Sequence, residues 1–316
     1  MQKRTLGRTG FRVTEIGFGA WAIGGGHLNY GPVSEEQAHA CIAAYIEQGG
    51  NFIDTAQAYG ESERILGDFF ERTRMREEMF VSSKTYRLEP GEIRRELQET
   101  LHLLRSDYVD IYFLHMPPDD QAEMNRVLDV YEQLKGQGKI RAIGASVKGA
   151  DVTPKTVELC RQYIRSGRVD VLMVIFSILR QKNSEILQEA MDNGVGVVAR
   201  TVLESGFLTG KYSPGHDFTG RDHRTRWERK RLTGILECAQ DLSREHVLPP
   251  YKTLSQLAIR FALDEERISS VVLGATSVEQ VEENMQVSGL PPLEHELKEH
   301  LISTYGERTD EFNTGQ

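Results

Sequence analysis

The sequence predicts an α/β fold of the (β/α)8 TIM-barrel class, with an N-terminal β-hairpin and a long loop after strand seven. Eight short β-branched or apolar runs occur at 13–18, 51–54, 80–83, 109–115, 140–145, 169–176, 195–200 and 270–274. Between them lie segments of helical period, such as Ile93, Leu97, Leu101 and Leu104, or Val127, Leu128, Tyr131 and Leu134, several of them ending at glycine. Most strands follow one another at roughly one βα unit, and near-continuous apolar strands suit a sheet covered on both faces. Eight such units close into a barrel better than they spread as an open sheet.

Taken in order, KRTLGRTGFRV at the start reads as a hairpin turning at 7–10, placed to plug the barrel bottom. Gly17, Gly19 and Ala22 fit a relaxed dinucleotide-binding fingerprint, which in a Rossmann unit must open a helix. The stretch IGGGHLNYGP that follows is too rich in Gly and Pro for that, and helix one is expected after Ser34, where Ser34 and Gln37 form a capping box. Gly206 to Lys211 imitates a Walker loop but is one residue short, and Tyr212 stands where Ser or Thr belongs, which argues against an ATPase. The interval between strands seven and eight is about twice the usual length and predicts a long functional loop plus an added helix over 212–250. Ser277 and Gln280 read as a second capping box, and PPLEHELKEHLISTYG adds an amphipathic segment at the end.

A chain of 316 residues with 39% hydrophobic content can bury one large core, so 1–316 is read as a single domain. A net charge of -9 excludes global attraction to nucleic acid or an anionic membrane, and no apolar run is long enough to span a bilayer. Cys41, Cys160 and Cys238 are odd in number and far apart, so neither a zinc site nor a disulfide framework is expected. With no apolar leader segment at the N-terminus, a soluble cytoplasmic protein is expected. The sequence does not set an oligomeric state.

Barrel active sites form where strands end at the C-terminal mouth. Strand two ends in Asp54 and leads to Tyr59, strand three ends in Lys84, and strand four ends in His115. Singly, each has a plain structural explanation: a helix cap, loop packing, a solvated strand end, a core histidine. Together, three neighbouring strands aim four titratable groups at one place. An ammonium beside a phenol favours the phenolate, a carboxylate keeps that ammonium charged, and the tyrosine becomes a proton donor near neutral pH. An imidazole beside it can donate to the same substrate oxygen, making an oxyanion site.

LGRTGFRVTEIGFGAW, NFIDTAQAYG with ESERILG, VSSKT, DYVDIYFLH, GKIRAIGAS, SGFLTGKY and LGATSVEQVEEN occur in this order, and with them the sequence resembles the aldo-keto reductases over nearly its whole length. The resemblance implies an NAD(P)H-dependent oxidoreductase of the alcohol dehydrogenase type. Hydride would pass between nicotinamide and an aldehyde, ketone, sugar-like carbonyl or alcohol, with Tyr59 as proton donor, Asp54 and Lys84 tuning it, and His115 orienting the carbonyl. It also implies cofactor contacts from Trp21, Asp54, Ser146, Arg200 and Leu203. Gly206 to Lys211 would cover the pyrophosphate, and Gly274, Thr276, Gln280 and Asn284 would surround the adenosine. NADPH is expected over NADH, and no metal.

Where the family commonly fixes the nicotinamide with a Ser-Asn pair, a Gln and a stacking aromatic residue, this chain has Ser146-Val147, Met173 and Arg200. Each lost amide partner would weaken anchoring by roughly 0.5–1.5 kcal/mol, although a guanidinium can still stack on the ring. Thr276 stands where a cation often meets the 2'-phosphate, and arginines of 221–231 are candidates to replace it. These departures motivate an alternative in which bound cofactor serves elimination or epimerisation on a sugar-like substrate without net redox change. A cofactor-sensing binding subunit is a further alternative. Trp21, Tyr30, Tyr86 and the 212–250 loop are candidate pocket walls.

Overall fold

The β-branched runs pair side by side and in parallel, and in the computed structural model they close into the expected barrel. The structure describes residues 1–25, 30–147, 151–220 and 222–313. A hairpin of β1 (Lys3–Thr5) and β2 (Arg12–Thr14) comes first. The barrel strands are β3 (Ile16–Gly19), β4 (Phe52–Asp54), β5 (Phe80–Thr85), β6 (Val109–Leu114), β7 (Ile140–Ser146), β8 (Val171–Ile175), β9 (Gly196–Arg200) and β10 (Ser270–Gly274). They run in sequence order, and β10 returns to β3, pairing Val271 with Ile16 and Gly274 with Gly19.

The run 13–18 is two elements, which corrects the expectation of one strand there. Val13 belongs to the hairpin and the barrel strand begins at Ile16, because Glu15 is pinned between them. Its carboxylate accepts from Arg4 (2.8 Å) and Ser288 (2.7 Å), and its N–H donates to the Gln2 carbonyl. The hairpin does plug the barrel. Leu6, Phe11 and Val13 pack with Phe52, Phe113, Met173 and Val198 in an apolar cluster distinct from the one under the helices. Gly7 has φ +50, and a Cβ there would come within 2.2 Å of the Gly196 nitrogen, so only glycine seats the turn against β9.

Gly19 leads into a 3-10 turn over Ala20–Ile23, and the first α-helix is Glu35–Glu47 with the Ser34–Gln37 capping box formed in both directions. The fingerprint therefore opens no α-helix at that point, although residues 26–29 of the glycine-rich stretch lie outside the described residues. The predicted insertion contains a 3-10 turn at His223–Arg226 and the helix Arg229–His246. Arg221 lies outside the described residues. At Ser277 the box is only half formed. Its hydroxyl accepts from the Gln280 N–H, but the Gln280 side chain takes the Thr276 N–H (3.0 Å) instead of that of Ser277. Among the described residues, no helix is long and apolar enough to cross a membrane, and no His/Cys/Asp/Glu group is arranged to hold a metal ion.

Candidate active site

Side chains alternate along a strand, so Ser82 and Lys84 of β5 face one side while Ser83 and Thr85 face the other. On the inner side, register sets Asp54 beside Ser82. Asp54 accepts from Ser82 Oγ (2.6 Å) through one oxygen and from Lys84 Nζ (2.7 Å) through the other. The Lys84 ammonium also donates to the Thr55 carbonyl (2.8 Å) and to Tyr59 OH (3.2 Å), so its three protons are all directed. It is fully buried, and burial works against its charge; the Asp54 carboxylate and Tyr59 outweigh that and hold its pKa above the ordinary lysine value. Tyr59 stands half-buried with its ring edge-on to His115, centroids 5.8 Å apart. Burial, then the Lys84 and Arg200 charges, push the His115 pKa down to about 2, so the imidazole is neutral in any physiological buffer. The four predicted residues therefore meet, with a phenol and a neutral imidazole presented to the cleft over a sealed ion pair.

On the outer side of β5, Ser83 donates to Glu63 (2.5 Å) and Thr85 donates to Glu96. Glu63, from the helix Ser62–Thr73, is buried and its pKa is raised to about 6, chiefly by desolvation. A carboxyl whose folded pKa lies above its unfolded value stabilises the fold at low pH, and this contribution is lost as pH rises through about 4.5 to 6. Glu63→Gln has no such titration and keeps an acceptor for Ser83. Its stability relative to wild type should rise by about 2 kcal/mol between pH 4.5 and pH 8, read from denaturant midpoints. A difference independent of pH would refute the buried, ionising Glu63.

One cleft of about 570 Å³ runs from Tyr59 and His115 across the barrel mouth. Trp21, Asp54, Ser146, Arg200, Leu203, Gly206, Lys211, Gly274, Thr276, Gln280 and Asn284 all line it. Lys84 alone of the predicted residues is not part of the lining, being sealed beneath Tyr59. Met173 lines the cleft as an apolar side chain, whereas Val147 is buried outside the lining. Arg200 reaches from β9 to the Val147 carbonyl and the Thr201 hydroxyl, each at 3.3 Å, bridging strand ends at the position where the family commonly has a stacking aromatic residue.

The segment after β9 bends sharply. Thr201, Glu204 and Ser205 have φ of 62, 47 and 56, a region that side chains disfavour, and Gly206 follows at 89. The strain is held by a buried ion pair invisible to sequence pattern: Arg180 Nη2 meets Glu204 at 2.6 Å, with Ser177 donating to the same carboxylate. Over this segment fold residues 212–220 and 222–227. Arg224 pairs with Asp222 at 2.6 Å, donates to the Ser205 carbonyl (3.2 Å) and lies over the rings of Phe218, Tyr212 and Tyr30 at 4.2, 4.6 and 5.0 Å. His223 completes an aromatic wall with Trp21 and Tyr30, each pair edge-on at 4.8–5.0 Å. Burial pushes His223 down to about 4, so this wall is uncharged.

The cleft suits an extended nicotinamide dinucleotide on its own features. It joins the Tyr59–His115 end to a backbone turn at Gly206, where a φ of +89 favours glycine and a Cβ would lie 3.2 Å from Arg224 Nη1. It continues to the start of the helix Val278–Gln286, whose N–H groups favour an anion.

Comparison with known proteins agrees. The chain is 32% identical to the NADH-specific methylglyoxal reductase of Escherichia coli (strain K12), over 90% of this chain and 93% of that protein. It is 30% identical to the L-galactose dehydrogenase of Arabidopsis thaliana, over 90% and 87%. The holo form of aldo-keto reductase AKR11C1 from Bacillus halodurans superposes with a TM-score of 0.77 over 96% of each chain, at 25% identity. The family's members are oxidoreductases that use nicotinamide cofactors on small carbonyl substrates. With residues 15–300 matching the Aldo/keto reductase family, the chain belongs to that family.

Proposed function

We propose that the chain reduces a small polar carbonyl compound, or oxidises the corresponding alcohol, with Tyr59 moving the proton. The observation that carries this reading is Lys84: a fully buried ammonium whose three protons go to Asp54, Thr55 and Tyr59 has no evident use except to set the tyrosine hydroxyl. Tyr59 would give its proton to the substrate oxygen, and Lys84 favours the phenolate left behind. Neutral His115 would donate a second hydrogen bond to that oxygen without adding charge. When bound, the reduced nicotinamide supplies the hydride for the carbonyl carbon. Ser146, Arg200 and Met173 would border its ring, Gly206 and Lys211 its pyrophosphate, and Gly274, Thr276, Gln280 and Asn284 its adenosine.

The expectation of NADPH over NADH finds no support at the adenosine end. The N–H and hydroxyl of Thr276 both go to Gln280, and the Glu283 carboxylate lines the same stretch, where it would repel a 2'-phosphate. The Escherichia coli relative's name likewise speaks for NADH. We therefore read NADH as the preferred cofactor. All three cysteines are free thiols, which supports a reducing, cytoplasmic setting.

Titration with NADH and NADPH by calorimetry should give NADH the tighter binding by at least about tenfold, as one repelled charge of roughly 1.4 kcal/mol would produce. NADH should then be oxidised over many turnovers when an aldehyde panel is added. Bound cofactor without net oxidation would sink the redox reading and favour the elimination or epimerisation alternative. Absence of cofactor binding would sink both.

A further inference from the structure

Arg200 closes β9, which stands opposite β5 in the ring of barrel strands, so its side chain lines the cleft across from the Lys84 side. It donates to the Val147 carbonyl and the Thr201 hydroxyl, neutral oxygens that leave its charge in place. Burial draws its pKa down from the ordinary arginine value, but that value is so high that the guanidinium stays protonated at neutral pH. Its field spans the mouth. It acts on Tyr59, on His115 and on Tyr86, whose ring stacks on His115 with centroids 4.1 Å apart.

A hydride passes only between atoms in contact, and the oxygen of the accepting carbon has to meet Tyr59 and His115, which follow β4 and β6. A nicotinamide ring serving that carbon would lie on the side closed by β7, β8 and β9, where Ser146, Met173, Ile175 and Arg200 line the same cleft. Of these four side chains, that of Arg200 alone carries charge. Asp54 is matched by Lys84 at 2.7 Å and Arg180 by Glu204 at 2.6 Å, so those pairs add no net charge beside the ring. Hydride transfer moves two electrons and a hydrogen to the carbonyl carbon while Tyr59 protonates the oxygen, so a neutral ring becomes a cation. A fixed positive charge next to it opposes that change, and the more so as water is excluded.

We propose that Arg200 discriminates between the two redox states of the cofactor, so that the site holds NADH more tightly than NAD⁺ and the chain works as a reductase in preference to a dehydrogenase. The inference rests on the nicotinamide-dependent function proposed above and adds its direction. With both forms present, the cleft loads the reduced one, and the cation produced by each turnover is pushed toward release. Tighter binding of the reduced form also raises the potential of the bound couple, by about 30 mV for each tenfold of preference.

Wild type, Arg200→Gln and Arg200→Lys are each titrated by calorimetry with NADH and with NAD⁺, and the readout is the ratio of Kd for NAD⁺ to Kd for NADH, which needs no turnover. Wild type should give a ratio of at least about ten, the size of one like-charge contact in a partly desolvated cleft. In Arg200→Gln the ratio should fall by about tenfold, and in Arg200→Lys most of it should remain, because lysine keeps the charge. Equal or tighter binding of NAD⁺ by wild type overturns the inference without recourse to any variant. Parallel weakening of both forms in Arg200→Gln, with the ratio unchanged, also overturns it and leaves Arg200 a strut between β9 and the end of β7. If only the 2'-phosphorylated pair binds, the same ratio is read from NADPH and NADP⁺, whose rings differ by the same charge. Binding of none of the four by wild type overturns the function proposed above as well.

Discussion

Tyr59→Phe should lower kcat by about a thousandfold while leaving NADH affinity within about twofold. The size follows from the site. Tyr59 is the hydroxyl that Lys84 addresses, and its neighbour His115 is held neutral at about 2, so the imidazole has no spare proton to offer in its place. General acid catalysis is worth about 10² to 10⁴, and the middle of that range applies where donation of a hydrogen bond by His115 persists. NADH affinity should survive because, on the proposed reading, the removed atom would meet the reacting oxygen and not the cofactor, and the ring remains. Full turnover by the variant would remove Tyr59 as the proton donor. Joint loss of turnover and binding would instead point to a collapsed cleft.

Lys84→Met is expected to cost both turnover and stability, and its stability effect is the largest foreseen here. The pair is sealed, with Lys84 fully buried and Asp54 nearly so. Removing one member of a buried ion pair leaves the other charge uncompensated, at about 3–5 kcal/mol. Among the described residues Asp54 then keeps the Ser82 hydroxyl as its side-chain donor, so a fall of about 10 °C in melting temperature should follow. The double variant Asp54→Asn, Lys84→Met has no orphaned charge and should regain most of the lost stability but none of the turnover, because Tyr59 still lacks its cation. If the single variant melted with wild type, the ion pair would not be the buried couple described. If the double variant regained turnover, Lys84 would have no part in setting Tyr59.

The meeting of Asp54, Tyr59, Lys84 and His115 was legible because each of them closes or follows an apolar run, and strand ends map directly onto one face of a barrel. Asp54, Lys84 and His115 needed no knowledge of tertiary contacts to be placed together. The 274–284 stretch was singled out only through motif resemblance, and its detail departed where two equivalent bonds compete: Gln280 reaches Thr276 one residue beyond the capping partner that its spacing suggested. The boundary at Glu15 was hidden because hydrophobic pattern does not register a single buried carboxylate inside a continuous run. The Arg180–Glu204 pair and the Trp21–Tyr30–His223 wall join segments far apart in the chain, and local periodicity carries no information about such meetings. Arg224 was visible as one of several arginines in a charged run, and only the fold distinguishes the one that folds under three rings from those in water.

The N-terminal hairpin ties residues 2–4 to residues 263–288 across the whole barrel. The Gln2 N–H donates to Ser288 Oγ across 286 positions, and Arg4 donates to the carbonyls of Leu263 and Ile268. Drawing together points so distant costs a free chain about 5 kcal/mol in loop-closure entropy, but almost nothing once the eight intervening units are already in place. Residues 2–4 thus find their partners at 263–288 on the far side of all eight barrel units, so the plug belongs to the completion of the barrel and not to its nucleation.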